Sequence, residues 1–245
     1  MNPVDEFFHE RREDIRKMAE DKELKQRSLD WMIASDKYRY SYNYTWLGRP
    51  IIKYPNDIVA TQEVIWRVKP DLIIETGVAH GGSLILSASI LDLLGGDRRV
   101  IGIDIDIRAH NRKEIESHPL FKRIDLIEGS SVDPKIVAEV ERLAAPFKNI
   151  LVILDSLHTH DHVAKELAIY APMVSVGSYL ILPDTFIEYF PKGYYAHNRP
   201  WDVGNNPMTA LREFMANTDD FVVDDELNSK LMITEAFDGY LRRLK

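Results

Sequence analysis

The run Ile150 to Leu154 contains no polar residue and ends in Asp155-Ser156-Leu157-His158-Thr159-His160-Asp161. A second apolar run, Tyr179 to Leu182, ends in Pro183-Asp184-Thr185. If both runs are buried strands lying side by side, Asp155 and Asp184 emerge at one edge and face one cleft. Paired carboxylates of that kind suit a hard divalent cation such as magnesium. His158, three residues beyond the first carboxylate, is placed to act as a general base beside the ion. Asp161 reads as a cap for the helix that follows.

A different chemistry follows the apolar run Leu72-Ile73-Ile74. Glu75-Thr76-Gly77-Val78-Ala79-His80-Gly81-Gly82-Ser83 has the form of a glycine-bearing turn between a strand and a helix. Gly77 lets the backbone turn tightly beside a ligand. His80, Gly81, Gly82 and Ser83 lead into a helix whose free N–H groups can bind a carboxylate. Asp104 ends the next strand, Val100 to Ile103, close to the roughly 20-residue spacing of a carboxylate that grips ribose hydroxyls; Asp106 is its neighbour and competitor. Ser130 and Ser131 follow a third strand, Ile124 to Ile127, and offer small hydroxyl side chains to border an adenine ring.

These residues need a scaffold that delivers strand ends to one place. Continuous apolar strands separated by helical stretches predict a parallel sheet covered on both faces, the doubly wound α/β architecture. The helices expected are one capped by Asn56 or Asp57, one over Leu84 to Leu94 closed by Gly95-Gly96, one from Pro134, one after Asp161, and one from Asn206-Pro207. Phe221-Val222-Val223 and Leu231-Met232-Ile233, bracketing a polar DDELNSK, predict a closing antiparallel hairpin. Residues 1–35 carry Val4, Phe7, Phe8, Ile15 and Met18 at helical spacing and predict a helical arm. Between them and the sheet, Tyr38, Tyr40, Tyr42, Tyr44, Trp46 and Tyr54 crowd together. That cluster suits either an edge strand or an aromatic lid over a small ligand.

Composition narrows the function classes. The chain has 245 residues, 45% hydrophobic and 29% charged, which is globular composition for one domain or one domain with a lid. Its formal charge of −8 argues against a phosphate backbone as partner, which needs a basic face. Zero cysteines remove disulfides, thiolate metal sites and cysteine nucleophiles. The N-terminal stretch is broken by charge and lacks the apolar core of a signal peptide. No apolar run approaches the ~20 residues that span a bilayer. The expectation is a cytoplasmic protein with neither nucleic-acid nor membrane partners.

With these motifs in place, the chain resembles the cephalosporin hydroxylase family, a group of class I S-adenosylmethionine-dependent O-methyltransferases related to rhamnosyl and macrocin O-methyltransferases. The matching stretches are WLGRPIIKYPND, QEVIW, LIIETGVAHGGS, VIGIDID, VILDSLHTHDHV, YLILPDTFIE and NNPMTALREF. The resemblance implies a Rossmann-like methyltransferase domain over residues 57–245, preceded by a helical arm and aromatic lid over residues 1–56. It implies that Glu75, Gly77, His80, Gly81 and Ser83 hold the methionine end of S-adenosyl-L-methionine. Asp104 would hold the ribose, and Ser130 and Ser131 would border the adenine. Asp155 and Asp184 would ligate Mg2+, with Asp155 also touching the cofactor. His158 falls on the general base of the macrolide-sugar relatives. One departure stands out: relatives commonly carry Glu-Asp where this chain has Pro183-Asp184, so one carboxylate is missing, and Glu188 and Thr185 are the substitutes at hand.

The reaction so implied is methyl transfer to a hydroxyl of a small polar acceptor, expected to be a sugar, by an enzyme that could self-associate through its helical arm. Trp201, Asn205, Asn206 and the tyrosines are expected to close over the acceptor. Other classes share some of these features. A nicotinamide-dependent oxidoreductase would use the same glycine loop and acidic strand end, but the loop is G-x-x-x-G and hydride transfer has no use for twin aspartates. Asp155, His158 and His160 would make a two-histidine, one-carboxylate iron site, but two histidines on one short loop have little freedom to ligate one metal facially. A non-catalytic binder of the cofactor, serving as a partner for another protein, is the third.

Overall fold

The structure, a computed structural model, describes residues 2–245. It opens with two helices, α1 (Pro3–Glu20), N-capped by Asn2, and α2 (Lys22–Asp36), N-capped by Asp21. A small antiparallel ribbon follows, β1 (Tyr44–Trp46) and β2 (Arg49–Ile51), then α3 (Pro55–Val68). The chain next alternates strand and helix: β3 (Leu72–Thr76), α4 (Gly82–Leu94), β4 (Arg99–Asp104), α5 (Ala109–Glu116), β5 (Ile124–Glu128), α6 (Pro134–Ala144), β6 (Ile150–Leu154), α7 (His160–Tyr170) and β7 (Tyr179–Ile181). Then come α8 (Pro207–Ala216), β8 (Phe221–Val223), α9 (Asp225–Lys230) and β9 (Tyr240–Arg243).

The strands form a seven-stranded sheet in the order β5-β4-β3-β6-β7-β9-β8. The four pairings among β3 to β7 are all parallel, and β9 joins antiparallel to β7 and β8. The doubly wound α/β reading therefore holds, with an antiparallel pair at one edge. All five residues of β3 are buried: Leu72 to Ile74 as a central strand requires, and Glu75 and Thr76 with them. Alternate side chains go to opposite layers. Ile73 joins Leu84, Ile85 and Val64 on one face, whereas Leu72 and Ile74 join Leu167, Tyr170 and Leu211 on the other.

The chain runs outward from β3 through β4 to β5, then returns to place β6 on the other side of β3. That reversal opens a crevice beyond the carboxyl ends of β3 and β6, where doubly wound sheets bind ligands.

Three expectations are corrected. The hairpin pairs β8 with β9, not with Leu231 to Ile233; the intervening DDELNSK segment contains α9, because the Asp224 side chain accepts from Leu227 N and caps a helical turn. Helix α3 is capped by neither Asn56 nor Asp57. It starts at Pro55, whose fixed φ suits a first helical position. Asp57 is buried instead, accepting from Glu235 N at 2.9 Å, from Tyr240 Oη at 3.1 Å, and from Thr234 Oγ1. Asp161 lies in the first turn of α7, after an N-cap at Thr159.

Candidate functional site

The crevice is a cleft of about 710 Å³, within the range of small-molecule sites. Its floor is the turn after β3. Gly77 has φ +90°, and a Cβ there would lie 1.8 Å from the carbonyl oxygen of Asp155. Glycine is thus required twice, for its backbone angle and for the contact between the β3 and β6 tips. Ala79 also takes a positive φ of 45°. Asp104 steadies this turn: its Oδ2 accepts from Val78 N at 2.8 Å and Ala79 N at 3.2 Å, and its Oδ1 accepts from Asp106 N at 3.1 Å. Asp104 reaches the cleft wall; Asp106 points into solvent.

Glu75, Gly77, His80 and Ser83 also line the cleft, as do Ser130, Ser131, Asp155, His158 and Asp184. Gly81 does not. It is the N-cap of α4, at φ +82°, and Gly82 takes the wall position. Glu75 is buried, with its Oε2 lacking any partner among the described residues; the Oγ of Ser83 is equally unpaired. Burial pushes the Glu75 carboxyl up to about 7, although Lys53 pulls the other way. A buried carboxyl oxygen left open beside a helix N-terminus fits an amino-acid ligand, with an ammonium for Glu75 and a carboxylate for the free N–H groups.

Asp155, His158 and Asp184 form the second cluster, each offering one ligand atom, all within 4.8 Å of one another. Asp184 adopts φ 59° immediately after Pro183, which turns its carboxyl toward Asp155. His158 Nδ1 lies 3.4 Å from Asp184 Oδ2, and its ring meets the Trp201 ring edge-on at 4.7 Å. Burial and the Asp155 charge raise Asp184 to about 6, against the pull of His158 and Lys53.

Sequence reasoning missed Lys53 and Glu235. Lys53 is buried, with Nζ 3.2 Å from Asp155 Oδ2 and 2.6 Å from Glu235 Oε1. Burial works against its charge, but Asp155 and Glu235 outweigh it and hold the lysine well above its usual range. Burial also works against the Asp155 anion, yet Lys53 and His158 keep that carboxyl below its usual range. Glu235 is driven well up, by burial and by the carboxylates of Asp57, Asp155 and Asp184 around it. A single lysine in a tyrosine-rich stretch and a glutamate near the C-terminus carry no local signal. The Asp57 anchor of the 234–240 segment helps to bring them together.

The substitutes for the missing carboxylate are corrected as well. Thr185 is buried and donates to Phe237 O at 2.7 Å. Glu188 accepts from Gly204 N at 2.8 Å and Asn206 Nδ2 at 2.6 Å. Neither lines the cleft; the third group beside Asp155 and Asp184 is His158. Asn205 accepts from His160 N, and Asn206 caps α8 in a capping box with Thr209, so both position the wall without forming it. Tyr42, Tyr54 and Trp201 do line the cleft, joined by Tyr195 and Arg199. Tyr40 stacks on Tyr54 behind them, and Tyr38 is exposed.

A family described as Rhamnosyl O-methyltransferase/CmcI matches residues 38–244. The chain belongs to this family. By that membership it is an S-adenosylmethionine-dependent O-methyltransferase of the rhamnosyl/CmcI type. The rhamnosyl O-methyltransferase of Mycobacterium tuberculosis (strain H37Rv) is 30% identical over 222 residues, covering 86% of this chain and 85% of that protein. The rhamnosyl O-methyltransferase of Mycobacterium leprae is 29% identical over 166 residues, covering 65% and 70%. Among solved structures, CmcI without ligand superposes with a TM-score of 0.57 at 23% identity, over 83% of this chain and 77% of the other. CmcI with Mg and SAM gives the same TM-score at 21% identity, over 83% and 78%. At these identities the structural likeness speaks for the O-methyltransferase fold.

Proposed function

We propose that this chain methylates a hydroxyl of a sugar or similar small polar acceptor, with a divalent cation assisting. The observation that carries this reading is the adjacency of two unlike half-sites in one cleft. An open buried carboxyl faces a helix N-terminus at one end, and an acidic trio with an aromatic wall sits at the other. No described helix is long and apolar enough to cross a membrane.

The bound cofactor supplies an electrophilic methyl group on a sulfonium. Glu75 and the N-terminus of α4 hold its amino-acid end, Asp104 its ribose, and Ser130 and Ser131 its adenine. The two carboxylates, beside a surplus of acidic groups, fit a hard divalent ion, and Mg2+ there would lower the pKa of an acceptor hydroxyl. Asp155 and Asp184 hold that ion. With Nδ1 of His158 turned toward Asp184, its Nε2 is left to take the hydroxyl proton. Lys53 and Glu235 fix the Asp155 carboxylate from behind. Trp201 and Tyr195 provide flat faces for a sugar ring and exclude water from the transfer geometry.

Labelled S-adenosylmethionine should therefore transfer its methyl to a member of a panel of rhamnose-containing and other glycosylated acceptors, read by mass spectrometry with and without magnesium. Cofactor binding with no methylated product across acceptors and metals would return the chain to a binding role. Product at full rate after exhaustive chelation would remove the metal.

A further inference from the structure

Behind the tips of β5 and β6 lies a carboxyl that methyl transfer does not use. Glu166, on α7, is fully buried. Its Oε1 accepts from Ser131 Oγ at 2.6 Å and from Ser156 Oγ at 2.8 Å. His162, one turn earlier on the same helix, places Nε2 3.2 Å from Ser131 Oγ and 3.0 Å from Ser156 Oγ. Tyr170 Oη donates to the Ser131 carbonyl at 2.7 Å and holds that loop from below. The Oε2 of Glu166 has no partner among the described residues.

A serine hydroxyl has one proton and two lone pairs. Here both serine protons go to Glu166. The nitrogen that sits between the two hydroxyl oxygens, and 3.4 Å from Glu166 Oε1, meets them by donating, so His162 carries a proton on Nε2; that proton is assigned from the network. Ser131, Ser156 and His162 all line the cleft. The two serine hydroxyls therefore offer the ligand acceptors only. Leu157 beside them gives an apolar face.

We infer that Glu166 sets the base specificity of the cleft: by holding Ser131 and Ser156 as acceptors, it selects a purine bearing an amine at position 6 over one bearing a carbonyl. An exocyclic amine donates into this wall. A carbonyl oxygen would meet lone pairs and lose its water without replacement. The inference rests on the cleft taking an adenosyl cofactor, and it adds the residue that decides why adenosyl.

Calorimetric titration with S-adenosylhomocysteine and S-inosylhomocysteine tests it. The wild-type protein should prefer the adenosyl compound by about tenfold or more, the expectation for one misplaced buried polar group. Glu166→Gln should bring the two affinities within about threefold, because an amide can donate to one hydroxyl and turn that hydroxyl's proton outward. The double variant Ser131→Ala, Ser156→Ala keeps the glutamate and removes the acceptors; it should flatten the preference too, and serves if Glu166→Gln fails to fold. Wild-type preference retained in a folded variant overturns the inference, as does equal binding of both compounds to the wild type. Binding of neither compound overturns the cofactor reading itself, and the inference with it.

Discussion

Glu75 shows how the site trades stability for binding. Its folded pKa of about 7 lies above the ordinary carboxylate value. Below the ordinary value the side chain is protonated folded and unfolded, and burial carries no charge penalty. As pH rises toward 7 the unfolded chain ionises first, so folding loses stability, on the order of 3 kcal/mol by pH 8 from this group alone. Glu75→Gln should therefore raise the melting temperature of the ligand-free protein at pH 8 while leaving it nearly unchanged at pH 4. The same variant should lose most of its affinity for S-adenosylhomocysteine. For the native residue, affinity should rise between pH 6 and pH 8, since a ligand ammonium favours the ionised carboxyl. A flat profile would show that Glu75 does not meet the ammonium. His158 is the contrasting case, because it sits away from the cofactor loop. His158→Ala should leave cofactor affinity intact and lower turnover by ~10²–10⁴, the range for losing a general base. A comparable drop in metal affinity, measured on the same variant, would identify it as a ligand instead.

The elements matter because they bring loops from distant parts of the chain to contact. The β3 and β6 tips meet through Gly77, whose missing Cβ leaves room for the Asp155 carbonyl. Gly77→Ala adds both a strained φ and a backbone clash at the most crowded point of the cleft. It should cost on the order of 3 kcal/mol or more and should weaken metal and cofactor binding together, since Asp155 moves with its carbonyl. Unchanged metal affinity in that variant would separate the two half-sites. This coupling also explains what was legible in the sequence. Buried parallel strands are continuous apolar runs, so β3, β4, β6 and β7 announce themselves, and the residue ending each run is placed by topology alone. Glu75, Asp104, Asp155 and Asp184 follow or close such runs, and the structure brings all four to the cleft. Lys53 and Glu235 were not legible, because they reach Asp155 and each other across 102 and 182 residues of chain through elements with no strong periodicity. Glu166 hid in plain sight on α7, where one glutamate in an amphipathic helix reads as solvent-facing. The α9 turn was lost because LMI after a polar stretch satisfies a strand pattern as well as a loop.

Across the whole molecule, charge gathers where the strands converge. The chain carries a formal −8, and Asp155, Asp184 and Glu235 crowd around the single ammonium of Lys53 in a buried space. Glu235 and Asp184 respond by binding protons more readily than free carboxyls do, as their raised pKa values show. A divalent cation seated between Asp155 and Asp184 would let Asp184 ionise fully, and only the folded chain brings these groups together. Such an ion must therefore stabilise the fold by mass action, by about 2.7 kcal/mol when its concentration is 100 times its Kd. For a domain of this size that corresponds to a rise of roughly 5–10 °C in Tm. Because Asp184 must release its proton for the ion, the gain should be larger at pH 7.5 than at pH 5, the sign expected for a carboxyl held near 6 in the ion-free protein. Calorimetric scans with magnesium and with chelator at the two pH values check this. Asp184→Asn should abolish the magnesium increment and leave the ion-free melting temperature unchanged or higher, because it removes a carboxyl whose charge the ion-free fold disfavours. An increment that survives in Asp184→Asn would place the ion elsewhere in the molecule.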